Sequence, residues 1–328
     1  MDPAAFTHHT TTRGLTYRYF RAPAAAGQPT LVLLHGFPGS AHDWRHVVAF
    51  FTPRGYGVLA PDMLGYGGTD KPTDDPALYV GSRLAQDIVD IMDAEGVGEA
   101  VAIAHDWGSR VSSRLANFHP NRFCAFAFLA LGYVPPRPHF EYATTVKFVK
   151  TMLGHELYGF WDYFSEDGAD VTIEKNFDSF FSLMFPHDPT LWRNHLCPAG
   201  KTKAWIESNR QAPLPSYLSE EDKDRYRTEF LKNGLAAPLM WYKSVVFGAV
   251  AADDQLVPEG SYHFRQPVYF AGCSRDAVCI PVYGRSGLKE FSKGTLTTKE
   301  FDAGHYVHLS HPEELNVDLH SWIEGLQA

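Results

Sequence analysis

The sequence predicts an α/β fold in which helices cover both faces of a doubly wound, mostly parallel sheet. Two observations support this prediction. Short apolar runs typical of buried strands alternate with stretches of helical periodicity, and such alternation implies parallel strands joined by helices. The strand-like runs are residues 30–35, 57–60, 100–104, 124–131, 267–271 and 296–301. This alternation stops between residues 135 and 263, where helical periodicity and aromatic side chains dominate. We therefore expect a core domain of residues 1–134 and 264–328, with residues 135–263 inserted as a helical cap.

Local signals indicate where individual elements begin and end. A helix over residues 109–118 is expected directly after the strand at 100–104. Within the cap, Ser219 and Asp222 have the spacing of a capping box, which predicts the start of a helix. Asn233 and Gly234 are typical of its end. At the other end of the chain, His8 and His9 are expected to lie in a mobile terminal segment.

Length, composition and charge restrict the class of protein. A chain of 328 residues suits one α/β domain with an insertion, and its 45% hydrophobic and 20% charged residues are those of an ordinary globular protein. The net charge of −9 disfavours nucleic acid and anionic membrane surfaces as partners. No signal peptide is visible, and the longest apolar stretch, residues 123–134, is too short to span a bilayer.

The cysteines predict a reducing environment. They are scattered along the chain, without the paired spacing of a zinc site or a disulfide framework. We therefore expect reduced thiols in a cytoplasmic protein, and we expect no metal and no organic cofactor. The four positions are Cys124, Cys197, Cys273 and Cys279.

A candidate nucleophile lies where a predicted strand turns into a predicted helix. Asp106 has small residues two positions before it, Ala104, and two positions after it, Gly108. A strand-to-helix turn of this kind is so tight that larger flanking side chains would collide, and it exposes the side chain at its centre. A carboxylate makes a stable ester only when it attacks an sp3 carbon that carries a leaving group. The alternative interpretation is that Asp106 only caps the helix.

Two further candidates follow strand-like runs in the second half of the chain. Asp276 lies in the loop after residues 267–271, and His305 follows residues 296–301. Sites in doubly wound sheets are built at these carboxyl ends of the strands. Taken alone, Asp276 would be a solvated loop residue and His305 a surface histidine. Together with Asp106 they predict a triad in which His305 activates water and Asp276 fixes its tautomer.

A glycine-containing turn predicts the place of an oxyanion hole. The apolar run 30–35 ends in His35, Gly36, Phe37 and Pro38. Such a turn can present a backbone N–H to a developing negative charge. We assign the oxyanion hole to the N–H groups of Phe37 and Trp107, the second being the residue just after the nucleophile.

These motifs together resemble the soluble epoxide hydrolases of the α/β-hydrolase superfamily. The resemblance covers about residues 16–323, nearly the whole chain. It implies the α/β-hydrolase fold with a cap inserted after the sixth strand. It also implies that an epoxide is opened to a vicinal diol through an ester on Asp106, which water activated by His305 then cleaves. The motifs are His35-Gly-Phe-Pro, Asp62-Met-Leu-Gly-Tyr-Gly-Gly, His105-Asp-Trp-Gly-Ser, Leu239-Met-Trp-Tyr-Lys and Gly304-His-Tyr.

The resemblance further implies two cap tyrosines that protonate the epoxide oxygen. Tyr242 matches the second of them, but Phe160 stands where the first is expected. Tyr163 lies one helical turn further on and is our candidate for the missing donor, and Trp161 can offer an indole N–H. Tyr158, two positions before Phe160, is expected to point elsewhere. The alternative is that residues 158–164 form only an aromatic packing stripe.

The predicted substrate is a small apolar epoxide. The cap is rich in aromatic residues, and no arginine cluster suited to an anionic substrate is visible in the sequence. Phe160, Trp161 and Trp241 are the expected pocket residues. No nucleic-acid partner and no membrane insertion are expected, and a monomer and a homodimer stay equally open.

Two other functions compete with this prediction. A haloalkane dehalogenase would use the same aspartate, but such enzymes resemble the chain less well because an asparagine usually stands at the position of Phe37. A fluoroacetate dehalogenase would be expected to have arginine in place of Trp107. A non-catalytic binding protein on the same fold is the third possibility, and the intact set of three candidate catalytic groups speaks against it.

Overall fold

The computed structural model describes residues 1–327, and its central element is a single eight-stranded sheet. The strand order is β1-β2-β4-β3-β5-β6-β7-β8, and every pair from β4 to β8 is parallel. This arrangement confirms the predicted fold class. The strands are β1 (Phe6–Thr10), β2 (Thr16–Ala22), β3 (Thr30–Leu34), β4 (Gly57–Pro61), β5 (Ala100–His105), β6 (Phe123–Leu129), β7 (Val268–Cys273) and β8 (Leu296–Phe301).

Helices fill the segments between the strands. They are α1 (Arg45–Phe51), α2 (Gly81–Ala94), α3 (Trp107–Phe118), α4 (Tyr142–Leu153), α5 (Phe160–Phe164), α6 (Ala169–Lys175), α7 (Phe177–Met184), α8 (Lys201–Glu207), α9 (Glu220–Asn233), α10 (Ala236–Val246), α11 (Ala249–Asp254), α12 (Pro281–Phe291), α13 (Val307–Ser310) and α14 (Pro312–Gln327). Short 3₁₀ segments lie at Pro3–Ala5, Ala41–Trp44, Thr52–Arg54, Pro76–Tyr79, Pro120–Arg122 and Glu259–Ser261, and a π-turn lies at Trp192–Leu196. Within residues 1–327, none of the helices combines the length and the apolar character needed to cross a bilayer.

The sheet is buried on both faces because its strands alternate between two hydrophobic clusters. In β3, Leu31 and Leu33 pack into one cluster, whereas Val32 and Leu34 pack into the other. Successive side chains of a strand point to opposite faces, so a fully apolar run is needed to fill both layers. The strand-like runs of the sequence were recognisable for this reason.

The N-terminal region differs from the sequence expectation. Residues 6–10 and 16–22 form an antiparallel pair, and β2 also pairs antiparallel with β4. His8 and His9 therefore lie in β1, opposite Arg18 and Tyr17, and the expectation of a mobile terminus for them is wrong. These strands lie at the edge of the sheet and are only half buried, so they lack the continuous apolar run that marks the central strands.

Helices α4 to α11 lie between β6 and β7 in the chain. As predicted, Ser219 caps α9 in a capping box with Asp222, and the helix ends at Asn233. Two buried contacts fasten this helical segment to the sheet region. Tyr226 of α9 donates a hydrogen bond to Asp43 at 2.6 Å, and Arg114 of α3 pairs with Asp254 of α11 at 2.6 Å. The division into core and cap at residues 134/135 and 263/264 stays a prediction.

Candidate active site

Asp106 occupies the turn between β5 and α3 and has an unusual backbone conformation. Its φ of 52° and ψ of −122° place it in the region that favours glycine. The turn is crowded, because a Cβ added at Gly108 would lie 2.1 Å from the carbonyl oxygen of Leu34. A Cβ at Gly36 would lie 2.4 Å from Asp106 Oδ1. Small residues at these two positions are therefore required by the approach of β3 to the turn.

The loops after β7 and β8 bring two of the other predicted residues to Asp106. His305 Nε2 lies 3.5 Å from Asp106 Oδ2, and His305 Nδ1 lies 2.5 Å from Asp276 Oδ2. The second oxygen of Asp276 accepts hydrogen bonds from the backbone N–H groups of Val278 and Cys279, at 2.8 and 3.0 Å. Asp276 is thus fully engaged, and it orients the imidazole toward Asp106.

Burial and charge act in opposite directions on the pKa values of these three groups. Burial raises the pKa of both carboxyl groups, but the adjacent His305 outweighs it and holds the pKa of Asp106 and of Asp276 below the ordinary value. Burial lowers the pKa of His305, and the charge of Asp276 together with the contact to Asp106 raises it well above the ordinary value. This arrangement favours the imidazolium form of His305 between the two carboxylates.

The two predicted oxyanion donors differ in this state. The N–H of Phe37 donates to Asp106 Oδ1 at 3.0 Å. Among the described residues, no hydrogen bond joins the N–H of Trp107 to the Asp106 carboxylate. Oδ1 is thus held by the backbone, while Oδ2 faces His305. In apo sites such bonds often tighten only when substrate is bound, so Trp107 stays a predicted second donor.

A cavity of about 220 Å³ lies above Asp106 and has a largely aromatic wall. Tyr242 of α10 is buried in this wall, with ring centroids 5.1 Å from Phe37, 5.2 Å from Trp107 and 5.0 Å from Phe164. Burial, and then the charge of Asp106, raise the pKa of Tyr242 well above the ordinary value, so its phenol stays protonated. Side chains that line the cavity beside Asp106 include Trp107, Leu157, Tyr158, Phe160, Trp161 and Tyr242.

Two cap residues, Tyr163 and Tyr158, are placed differently from expectation. Tyr163 does not line this cavity, and Glu207 and Glu166, not Asp106, are the charges that act on its pKa. Tyr158, which was expected to point elsewhere, lines the cavity. The reason is that α5 begins only at Phe160, so helical spacing does not apply to Tyr158.

Trp241 was also expected in the pocket, and the structure places it behind the wall. Its indole N–H donates to the carbonyl oxygen of Leu64 at 2.9 Å. Its ring packs near Tyr66 and Tyr79, with centroids 6.2 Å from each. Trp241 therefore supports Tyr242 from the rear and does not line the cavity.

The sequence analysis missed several residues of the site. Cys279 lies three positions after Asp276, and its sulfur lies within 4.8 Å of ligand atoms of both Asp106 and His305. These three side chains are a group that could hold a metal ion. Arg110 also lines the cavity, and its position one helical turn after Asp106 was a readable signal. Arg137 lines it from a loop that no motif marks.

His305 also contacts a second cavity, of about 230 Å³, on the side away from the aromatic wall. Trp192 forms part of its lining, with a ring centroid 5.1 Å from that of His305. Polar side chains of His187, Arg275 and His311 also line it. His305 thus borders a second cavity with a mixed polar and apolar lining, distinct from the aromatic one.

Comparisons with known proteins agree with this architecture. The profile of the alpha/beta hydrolase fold family matches residues 29–312. The chain is 29% identical to "Epoxide hydrolase A" of Mycobacterium tuberculosis over 96% of both chains. It is 27% identical to "Bifunctional epoxide hydrolase 2" of Sus scrofa over 98% of its own length, but it spans only 56% of that relative. The crystal structure of Epoxide Hydrolase A from Mycobacterium thermoresistibile superposes with a TM-score of 0.80 at 27% identity, over 98% of both chains.

Proposed function

Because the chain belongs to the α/β-hydrolase fold family, we propose that it is an epoxide hydrolase that opens small, largely apolar epoxides to vicinal diols. One observation supports this most strongly. The carboxylate of Asp106 and the protonated phenol of Tyr242 flank the same cavity, the first as a nucleophile and the second as an acid. Relatives that the chain matches from end to end are named epoxide hydrolases, which supports the same reaction.

The first half-reaction is attack on an epoxide carbon. Asp106 Oδ1 is held by the N–H of Phe37, so Oδ2 is the oxygen that forms the new C–O bond. The ring C–O bond breaks, and the leaving oxygen takes the phenolic proton of Tyr242. The products of this step are an alkyl ester on Asp106, a hydroxyl group on the same substrate molecule, and a phenolate.

Formation of the ester changes the protonation of His305. The carboxylate of Asp106 is one of the groups that raise the pKa of His305, and esterification removes its charge and its hydrogen bond. The pKa of His305 therefore falls, and the imidazole releases its proton. That proton restores the phenol of Tyr242, which was left as a phenolate in the first step. The resting imidazolium becomes a neutral base only when there is an ester to hydrolyse.

The second half-reaction cleaves the ester with water. His305 removes a proton from water, and the resulting hydroxide adds to the carboxyl carbon of Asp106. Negative charge develops on Oδ1, where the N–H groups of Phe37 and Trp107 act as the oxyanion hole. Collapse expels the diol as an alkoxide, which takes the proton of the newly added hydroxyl group and leaves the carboxylate of Asp106 beside the imidazolium. Asp276 stabilises that imidazolium at 2.5 Å.

Dehalogenation is a second candidate because one observation favours it. Trp107 and Trp161 both line the cavity, with ring centroids 5.6 Å apart, so two indole rings border the space that a departing halide would occupy. The sequence analysis had counted Trp107 alone. The phenol of Tyr242 distinguishes the reactions, because a halide needs no proton whereas an epoxide oxygen does.

A single turnover in heavy-oxygen water tests the ester mechanism. The label should appear in the carboxylate of Asp106 and reach product only in later turnovers. Label that passes directly from solvent to diol in the first turnover contradicts the proposal. Asp106→Ala should abolish both diol formation and halide release. A panel of styrene-type and aliphatic epoxides beside haloalkanes then assigns the reaction, since faster halide release than diol formation selects the dehalogenase.

A cytoplasmic location belongs to the same proposal. Cys124, Cys197, Cys273 and Cys279 are all unpaired thiols, and three of the four are buried. Free thiols in these numbers are typical of a reducing compartment. Localisation of a tagged full-length chain by fractionation tests this, and recovery with a membrane or secreted fraction contradicts it.

A further inference from the structure

The aromatic cavity is also lined by two arginine side chains that the proposed reaction does not use. Arg110 lies on α3, four residues after Asp106, and Arg137 lies in the segment between β6 and α4. Both line the same cavity as Asp106 and Tyr242. The sequence analysis expected no arginine cluster, and that expectation is wrong because Arg137 approaches Arg110 only in the folded chain.

Neither guanidinium group has a polar partner. Within residues 1–327, the side chains of Arg110 and Arg137 form no hydrogen bond and no ion pair. The nearby Asp254 is already engaged, because one of its oxygens accepts from Arg114 at 2.6 and 3.0 Å and the other accepts the backbone N–H of Arg137 at 2.8 Å. Asp253 is likewise held by the backbone and hydroxyl of Ser82.

The local charges therefore leave an excess of positive charge at this end of the cavity. The charges that act most strongly on the pKa of Arg110 are the guanidinium groups of Arg114 and Arg137 and the carboxylates of Asp253 and Asp254. Burial lowers the pKa of Arg110 to about 10, so the group is still a cation at neutral pH. The guanidinium carbon of Arg110 lies 5.9 Å from the centroid of the Trp107 ring, a weaker partner than an anion. A cation that is partly removed from water and has no ion pair is costly, and an anion bound there offsets that cost.

The spacing suits a small bifunctional substrate. Arg110 lies in the first turn of α3, four residues after Asp106, and both side chains line the same cavity. The aromatic rings lie beside the nucleophile, whereas Arg137 is exposed at the outer end. A substrate bound with its epoxide at Asp106 thus directs its other end toward the guanidinium groups.

We propose that the preferred substrates are epoxides that carry a carboxylate, which Arg110 and Arg137 bind while Asp106 opens the ring. The inference rests on the proposed epoxide hydrolase activity and specifies its substrate class. Guanidinium groups bind a carboxylate through paired N–H donors, so they both orient the substrate and compensate its negative charge. The aliphatic or aryl part of the substrate occupies the aromatic region between the two ends.

Matched acids and esters test the proposal. Terminal epoxides of butanoate, pentanoate and hexanoate are compared with their methyl esters, which have the same epoxide and no charge. We expect kcat/KM to be about tenfold or more higher for at least one acid than for its ester. We expect Arg110→Gln to lower kcat/KM for that acid by about ten- to a hundredfold more than it lowers kcat/KM for the ester. Arg137→Gln should have the same selectivity and a smaller effect.

The control is Arg83→Gln, which removes the same charge from an exposed position on α2. It should change neither substrate class. If Arg110→Gln does not fold, Arg137→Gln at the exposed end and Arg110→Lys, which keeps the charge, carry the test. Equal rates for acids and esters in the unmodified protein, or equal losses for both in the Arg110 and Arg137 variants, overturn the proposal.

Failure of the substrate inference is distinguishable from failure of the proposed function. Methyl esters that are hydrolysed without any preference for the acids leave the epoxide hydrolase standing and remove the anion site. If no epoxide of either kind is opened, the proposed function fails. Calorimetry with phenylbutyrate and its uncharged amide then still tests whether the arginines bind an anion. Binding of the acid alone, lost in Arg110→Gln, supports the anion site; equal binding of both compounds contradicts it.

Discussion

The two sides of the aromatic cavity are built in different ways. On the sheet side, Asp106, Asp276 and His305 follow strand ends and are held by hydrogen bonds and charge. On the cap side, Tyr242 and its neighbours are held by ring contacts of about 5 to 6 Å between centroids. Hydrogen bonds and charge hold the reacting groups in place, whereas ring packing dominates around Tyr242. Single substitutions on the sheet side should therefore abolish a reaction step, whereas substitutions on the cap side should change the rate and the substrate selectivity.

The largest expected effect is on the sheet side. His305→Gln should leave ester formation possible and slow ester hydrolysis by about a thousandfold, because His305 is the proposed base and contacts Asp106 directly. The ester should accumulate as a stable mass increase on the protein after addition of epoxide. His320→Gln, a histidine of α14, is the control and should turn over normally. Turnover by His305→Gln at the rate of the unmodified protein would contradict the assignment of His305 to ester hydrolysis.

On the cap side, Tyr242→Phe should slow ester formation by about a hundredfold, since the ring-opening oxygen loses its acid. Hydrolysis of an ester that has already formed should change little. Stopped-flow quenching of Trp107 and Trp161 fluorescence, which lie beside the nucleophile, can follow the first step. A variant that slows both steps equally would mean that Tyr242 also positions the sheet side.

The pH dependence should also separate the two steps. The pKa of Asp106 is held below its ordinary value, so ester formation should persist into mild acid and fail only as Asp106 becomes protonated. Hydrolysis needs neutral His305, so it should be lost as pH falls through the pKa of His305 in the ester, by about tenfold per pH unit. Single-turnover experiments should therefore find ester accumulating on the acid side. Parallel pH profiles for both steps would contradict this assignment.

Smaller effects should distinguish the cap tyrosines. Tyr158→Phe is expected to slow ester formation by about tenfold, as the loss of one hydrogen bond would. Tyr163→Phe should have almost no effect on this step, because Tyr163 lies outside the cavity. Phe160→Tyr places a new hydroxyl on the cavity wall and should accelerate opening. If Tyr163→Phe proves more damaging than Tyr158→Phe, the second donor is the one first predicted from helical spacing.

The smallest effect is expected at Cys279, although it lies close to the reacting groups. Burial raises the pKa of its thiol to about 12, so little thiolate exists at neutral pH. Iodoacetamide should therefore inactivate the protein slowly, and Cys279→Ser should keep most of the activity. Rapid alkylation at neutral pH, located by peptide mapping, would show that the site is more open than the structure indicates.

The same difference explains what the sequence could predict. Residues on strand-end loops were recognisable because a strand, a tight turn and the next helix are local features, and Asp106, Asp276 and His305 were placed in this way. The cap side depends on which face a short helix presents, and α5 has only five residues. Helical spacing therefore selected Tyr163 over Tyr158. Strands β1 and β2 were missed because they are only half buried and no recognised motif follows them. Strand β8 is half exposed as well, but it leads into the motif that contains His305.

The backbone of Asp106 has a consequence for folding that is independent of its carboxylate. With a φ of 52° it has a conformation that costs a residue with a Cβ about 1 kcal/mol or more. Asp106→Gly and Asp106→Ala both remove the nucleophile, but only glycine relieves the backbone. The glycine variant should therefore unfold at a higher denaturant concentration than the alanine variant. The turn thus lowers the stability of the folded chain while it holds the reactive carboxylate in place.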